Sequence, residues 1–162
     1  MTTRNFRRLN YPAASPKALQ AMMQLSGHAH AAGFEEELIE LVSLRASQIN
    51  GCAFCIDMHT KELRAAGASE QKLYLLSVWR ETSLYSPRER AALAWTEALT
   101  RLGEEGVSDA IYDEALAQFG EAGLVDLTAA VVAINGWNRF SIALGAEPGH
   151  YKAGSLRERA AS

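Results

Sequence analysis

The sequence predicts an all-α protein, and three observations carry that prediction. Alanine occurs 28 times and leucine 19 times, whereas valine and isoleucine together occur 12 times. Helices favour Ala and Leu, and strand interiors favour β-branched residues. Apolar residues recur at three- and four-residue spacing, as in Ala91, Ala94, Trp95, Ala98, Leu99 and Leu102. No proline lies between Pro16 and Pro87, which suits closely packed helices.

The elements follow in order. Ser15 is a good N-cap with Pro16 at the first helical position, and the helix it opens stops at Gly33. A second helix starts near Phe34, carries the stripe Leu38, Leu41, Val42 and Ile49, and ends at Asn50-Gly51. A third starts at once, with Asn50 as its expected cap, and runs to Gly67. Ser69 opens a fourth that ends near Glu81. Ser86-Pro87-Arg88-Glu89 reads as a capping box, and the helix behind it stops at Gly103 and Gly106. Ser108 caps a sixth helix, to Phe119-Gly120. A last long helix covers about Ala122 to Leu144, stopped by Gly145 and Pro148. The expectation is a single domain over 1–162 of about seven helices, with a core at about 10–148. Its tail, 149–162, reads as frayed or as clasping a second subunit. Ile49-Asn50-Gly51-Cys52 is echoed by Ile134-Asn135-Gly136-Trp137, and Leu38-Ile39-Glu40-Leu41 by Leu124-Val125-Asp126-Leu127. An old duplication and chance each account for the echo.

Composition and charge exclude several function classes. With 48% hydrophobic and 22% charged residues the chain is globular rather than disordered. A net charge of −3 argues against a nucleic-acid partner. Met1 to Ser15 holds Arg4, Arg7 and Arg8 without an apolar stretch behind them, so it does not read as a secretory signal. The longest mostly apolar run, Leu127 to Ile134, is short of the roughly 20 residues of a membrane helix. The expectation is a soluble, cytoplasmic protein with no membrane partner. Only Cys52 and Cys55 are cysteines. A secreted disulfide scaffold has more, and a loop this short stabilises little, so the pair either serves chemistry or is incidental, two ordinary buried thiols.

Cys52 and Cys55 sit three apart at a helix start, a separation compatible with a disulfide. The partial positive charge there favours a thiolate, and most strongly at Cys52, nearer the terminus. His59 lies one turn beyond Cys55 and can exchange a proton with it. If the second and third helices form a hairpin at Asn50-Gly51, Glu40 and His59 stand at similar heights, about 14–15 Å from the turn. A carboxylate there fixes the imidazole tautomer and raises its basicity.

Glu40, eleven residues, Cys52-x-x-Cys55, three residues and His59 together resemble the AhpD-like alkylhydroperoxidases of the carboxymuconolactone decarboxylase superfamily. Asn135-Gly136-Trp137-Asn138-Arg139 is similar to the short, single-core members, and the resemblance covers roughly residues 10–148. It implies an AhpD-like helical bundle that assembles into homotrimers or homohexamers, with the redox pair at the start of the third helix. It also implies a peroxidase cycle on a hydroperoxide substrate. Cys55 is then the attacking thiolate and Cys52 the resolving one, while Glu40 and His59 relay the proton, with a water between. An external dithiol, a lipoyl-bearing protein in the family, resets the disulfide; no metal or organic cofactor is required. The best-studied relatives carry a histidine where this chain has Phe54, which implies a reduced relay or slower turnover.

Other readings compete. Cys52, Cys55 and His59 could bind zinc with Glu40 or a water as fourth ligand. The pair could serve a non-enzymatic redox sensor. A lactone-acid decarboxylase stays inside the superfamily but does not use a cysteine pair. A thioredoxin-type fold needs a βαβ context, which is not visible here. Haem attachment needs a histidine where Ile56 stands. His28, His30 and His150 read as surface or tail residues, with His28 able to line a pocket. Asn135, Asn138 and Arg139 read as a polar network or an oligomer contact, and Trp79, Trp95 and Trp137 as core or interface anchors. Glu35-Glu36-Glu37 suits a first helical turn.

Overall fold

Ten consecutive residues of one helix, 38–47, are buried, and the bundle is built round them. The computed structural model describes residues 6–155. In chain order it contains α1 (Tyr11–Ala14), α2 (Pro16–Ala31), α3 (Glu36–Asn50), α4 (Ala53–Ala65) and α5 (Glu70–Tyr74). A 3₁₀ segment (Leu76–Glu81), α6 (Pro87–Thr100) and α7 (Asp109–Leu144) complete it. Among the described residues the one β feature is an isolated bridge between Phe6 and Ala146.

Helix α3 packs against α4, α6 and α7, and α2 covers α7. One apolar cluster joins Leu41, Leu44, Leu63, Leu76, Trp79 and Leu93. A second joins Leu38, Val42, Ala92, Trp95, Leu127 and Val131. The sequence predicted an amphipathic α3, but a central helix is enclosed on every side and so buries its polar residues too. Arg45 is one of these. Its Nε donates to Glu97 Oε1 at 2.7 Å, Trp79 Nε1 donates to the same oxygen at 3.0 Å, and Arg80 donates to Oε2. One carboxylate thus ties α3, α6 and the 3₁₀ segment together.

The capping box at Ser86 is present: its Oγ accepts from Glu89 N–H at 3.2 Å, and Glu89 Oε2 accepts from Ser86 N–H at 2.8 Å. Other expectations need correction. The sequence reading missed α1, whose cap Asn10 accepts from Ala13 N–H. The expected fourth helix is two pieces, α5 and the 3₁₀ segment, with Val78 out of helical geometry. The sixth and seventh predicted helices form α7, interrupted at Gly120 (φ 68°, ψ 176°), where the sequence placed a boundary. By length and composition α7 could cross a membrane, which a search for an unbroken apolar run did not reveal; here its Leu127, Val131 and Ile134 enter the core. The echo is not a structural repeat, because Gly51 ends a helix in the left-handed region whereas Asn135-Gly136 lie inside α7.

Part of the tail is docked rather than frayed, and on its own chain. Gly149 N–H donates to Asp57 Oδ2 at 2.9 Å, Lys61 Nζ to the Tyr151 carbonyl at 3.1 Å, and Gly154 N–H to Glu62 Oε1 at 2.9 Å. The Tyr151 hydroxyl donates to the same Glu62 oxygen. The rest of the expected tail, 156–162, and residues 1–5 with Arg4 lie outside the described residues. From Phe6 the chain follows the end of α7, where Arg7 N–H donates to the Gly145 carbonyl at 2.7 Å.

Two stability predictions follow from this packing. A Cβ at Gly120 would meet no atom, so Gly120→Ala carries only the backbone cost of its conformation, about 1–3 kcal/mol in urea unfolding. Burial raises the Glu97 pKa, but the Arg80, Trp79 and Arg45 donors outweigh burial and hold it below its usual value. Its contribution is therefore present above the unfolded carboxylate pKa, about 4.3, and is lost as pH falls through the lower folded value. Glu97→Ala leaves Arg45 buried without its partner and is expected to cost about 3–5 kcal/mol at pH 7, measured by the same unfolding.

Candidate active site

The site begins at the turn between α3 and α4. Gly51 adopts φ 69°, ψ 33°, which a glycine takes without steric penalty. Its N–H donates to the Gln48 carbonyl, and the Cys52 N–H reaches back to the Ser47 carbonyl at 3.0 Å. This paired closure satisfies the last carbonyls of α3. Cys52, not the expected Asn50, then caps α4: its Sγ accepts from the Cys55 N–H at 3.3 Å. Asn50 instead ends α3 and turns its amide towards α7. Cys52 therefore closes one helix with its backbone and opens the next with its sulfur.

Both thiols are free and buried. They share one charge. The Cys55 thiol donates to Cys52, and with burial opposing, the Cys55 backbone N–H, Asn138 and Ser141 help to lower the Cys52 pKa to about 7. Donation to Cys52, burial and the charge on Cys52 raise that of Cys55. Of the two sulfurs, Cys52 is the one whose charged form is favoured, as it is by the helix terminus.

Glu40 and His59 meet across the hairpin: Glu40 Oε2 is 2.7 Å from His59 Nδ1, with both side chains buried. The carboxylate can only accept, so Nδ1 carries the hydrogen and Nε2 is left as the basic nitrogen. Nε2 is buried and, among the described residues, is the one such side-chain nitrogen or oxygen without a hydrogen-bond partner. The register inferred from the hairpin thus brings Glu40 to His59, on the helix that carries the cysteines.

Apolar side chains enclose the pair. Ala46, Ile134, Phe54 and Trp137 pack with Cys52 and Cys55, and each cysteine is 1% exposed. Two clefts, of about 370 and 220 Å³, are lined by other residues and do not open on the sulfurs. Among the described residues no three His, Cys, Asp or Glu side chains form a group that could hold a metal, so the zinc reading lacks a donor set.

Residues 16–98 match the carboxymuconolactone decarboxylase family, over half the chain. The chain belongs to the carboxymuconolactone decarboxylase family. Among family relatives, the uncharacterized protein YdfG of Bacillus subtilis is 39% identical over 138 residues, 85% of this chain and 94% of YdfG. A crystal structure of a protein of unknown function from Agrobacterium tumefaciens, described as a candidate antioxidant defence protein AhpD, is 44% identical with a TM-score of 0.84. It covers 89% of this chain and 99% of that one. The alkyl hydroperoxide reductase AhpD of Bradyrhizobium diazoefficiens is 46% identical over 41 residues, 25% of this chain and 22% of its own. The AhpD-like fold expected from Glu40, Cys52, Cys55 and His59 is the fold of this chain.

Within this family member, three residues at the sulfurs were not read as site residues. Asn138 and Ser141 of α7 both favour the charged form of either cysteine. Tyr11 of α1 lies beside Ser141; burial first, and then the cysteine charges, hold its phenol protonated above the ordinary range. Tyr11 continues an aromatic series through Phe140 (5.6 Å between rings) to Trp137 (6.3 Å). Only the Asn-Gly-Trp-Asn-Arg resemblance pointed at Asn138; nothing local marks Tyr11 or Ser141. His28 does not line the site: it is exposed and pairs with Asp126 at 2.8 Å. Trp79 and Trp95 are core residues.

One titration follows. In fully reduced protein, thiolate absorbance at 240 nm should rise with a midpoint near pH 7 for one thiol per chain, lost in Cys52→Ser. The second thiol should titrate well above the ordinary thiol range.

Proposed function

We propose that this protein is a thiol-dependent hydroperoxidase in which Cys55 attacks the peroxide and Cys52 resolves the product. The observation that carries the reading is the oriented Glu40–His59 pair, whose unpartnered Nε2 lies on the helix of a cysteine pair with one shared charge. The AhpD description of the Agrobacterium relative and the short match to a Bradyrhizobium AhpD support it.

The two sulfurs divide the work by their ionisation. His59 Nε2 takes the Cys55 thiol proton, directly or through a water, and Glu40 stabilises the imidazolium. The higher pKa of Cys55 makes its thiolate the stronger nucleophile once formed. Its sulfur attacks one peroxide oxygen, the O–O bond breaks, and the departing alkoxide takes the proton from His59 to leave as alcohol. Cys55 is now a sulfenic acid. Cys52, already a thiolate, attacks that sulfur and expels hydroxide, which leaves as water after taking a proton. The product is the Cys52–Cys55 disulfide, a two-electron oxidation matched by the two-electron reduction of the peroxide. An external dithiol, such as a lipoyl group on a carrier protein, returns the pair by thiol exchange and is itself oxidised. The same proposal includes a homotrimer or homohexamer; exposed Val125 and Val132 on one face of α7 support such a contact.

Cumene hydroperoxide added to reduced protein is expected to remove two thiols per chain, and dihydrolipoamide to restore them over repeated cycles. Cys55→Ser should abolish peroxide consumption; retained consumption would overturn the assignment. Cys52→Ser should accumulate a dimedone-trappable sulfenic acid on Cys55, and a trap only on the opposite cysteine in Cys55→Ser would reverse the two roles.

A further inference from the structure

Asn138 is fully buried on α7, and the mechanism above does not use it. Its orientation follows from counting donors and acceptors. Ser47 spends its hydroxyl hydrogen on the Ser43 carbonyl, at 2.7 Å, so it must accept from its neighbour. The Asn138 atom 3.0 Å from Ser47 Oγ is therefore Nδ2. Asn138 Oδ1 accepts from Asn50 Nδ2 at 2.8 Å, and the other Asn50 N–H goes to Asn135 Oδ1 at 2.9 Å. Asn135 is fixed in turn, because its Nδ2 donates to Thr100 Oγ1 and to the Val131 carbonyl, both at 3.0 Å. Every amide in this chain is locked, and Asn138 retains one N–H. Ile134 and Trp137 of α7 pack against Cys52 and Cys55, so the α7 face that carries Asn138 and, one turn further, Ser141 is turned towards the pair, and both side chains favour its charged form.

We propose that Asn138, seconded by Ser141, is the hydrogen-bond donor that holds the thiolate of the Cys52–Cys55 pair inside the bundle. A buried charge needs donors whose orientation costs nothing at the moment of reaction. The Cys55 backbone N–H is one such donor, and the locked Asn138 amide is the second. Because Asn138 favours the charged form of either cysteine, it serves the charge on Cys52 and the charge that develops on Cys55 during attack. It is a binding group for the thiolate and moves no proton itself. The inference rests on the redox-pair reading of the site but not on peroxide being the substrate.

The test is the pH dependence of thiolate absorbance and of iodoacetamide alkylation in reduced Asn138→Leu and Ser141→Ala proteins, with the alkylated cysteine assigned by mass spectrometry. Asn138→Leu should raise the Cys52 midpoint by about one pH unit, a roughly tenfold fall in thiolate below it. Ser141→Ala should shift it in the same direction by less. A loss of thermal stability in Asn138→Leu with the midpoint unmoved would make Asn138 purely structural and overturn the proposal. If Asn138→Leu does not fold, an unmoved midpoint in Ser141→Ala overturns it instead. The measurement uses no peroxide. A shifted midpoint in protein that consumes no hydroperoxide would defeat the peroxidase reading alone, and an unmoved midpoint in active protein would defeat this inference alone.

Discussion

A helix buried on every side must find a partner for each polar group it carries, and α3 is such a helix. Three of its buried polar side chains go to three different neighbours. Glu40 meets His59 of α4, Arg45 meets Glu97 of α6, and Ser47 meets Asn138 of α7. Apolar packing alone would bring these helices together without fixing how each is rotated and shifted, because apolar contact is non-directional. The polar pairs select one arrangement. Moving α4 along α3 would separate an imidazole from its buried carboxylate, and moving α6 would strand Arg45, a loss of several kcal/mol in each case.

The placement of the cysteine pair is a by-product of the same geometry carried round the turn. Closure of α3 needs a left-handed residue, and Gly51 supplies it. The following residue must donate back to α3 and also cap α4; Cys52 does both. A thiolate at that cap compensates unpaired N–H groups that a serine or aspartate would satisfy elsewhere. The helix cap and the favoured charge therefore share one atom, the Cys52 sulfur. The charged form is favoured there, although spacing to His59 had pointed to Cys55. The conflict dissolves once the two thiols are treated as one titrating unit, in which the poorer acid becomes the stronger nucleophile.

The candidate site was legible where its parts lie on one helix or on two helices joined by a two-residue turn. Cys52, Cys55 and His59 share α4, and Glu40 is fixed by the length of α3 above Gly51. Helical rise is regular enough that counting residues gives heights, and the 2.7 Å contact agrees with that count. Tyr11 and Ser141 were not legible, because one comes from a four-residue helix and the other from near the end of α7. The cap itself was misassigned to Asn50, since asparagine is the commoner capping residue. That preference lost because the Asn50 amide finds two acceptors on α7.

By itself the sequence determined the helical class, most helix boundaries and the spacing of Glu40, Cys52, Cys55 and His59, because these depend on local propensity, glycine and proline positions, and the regular rise of a helix. Tertiary structure alone decided that α3 is buried on every face from 38 to 47 rather than on one stripe. It also decided which sulfur carries the charge, whether the pair is open to solvent, and where the tail lies. These depend on groups far apart in the chain that meet only after folding, and the energy of a buried charge is set by such neighbours rather than by the residues beside it in sequence.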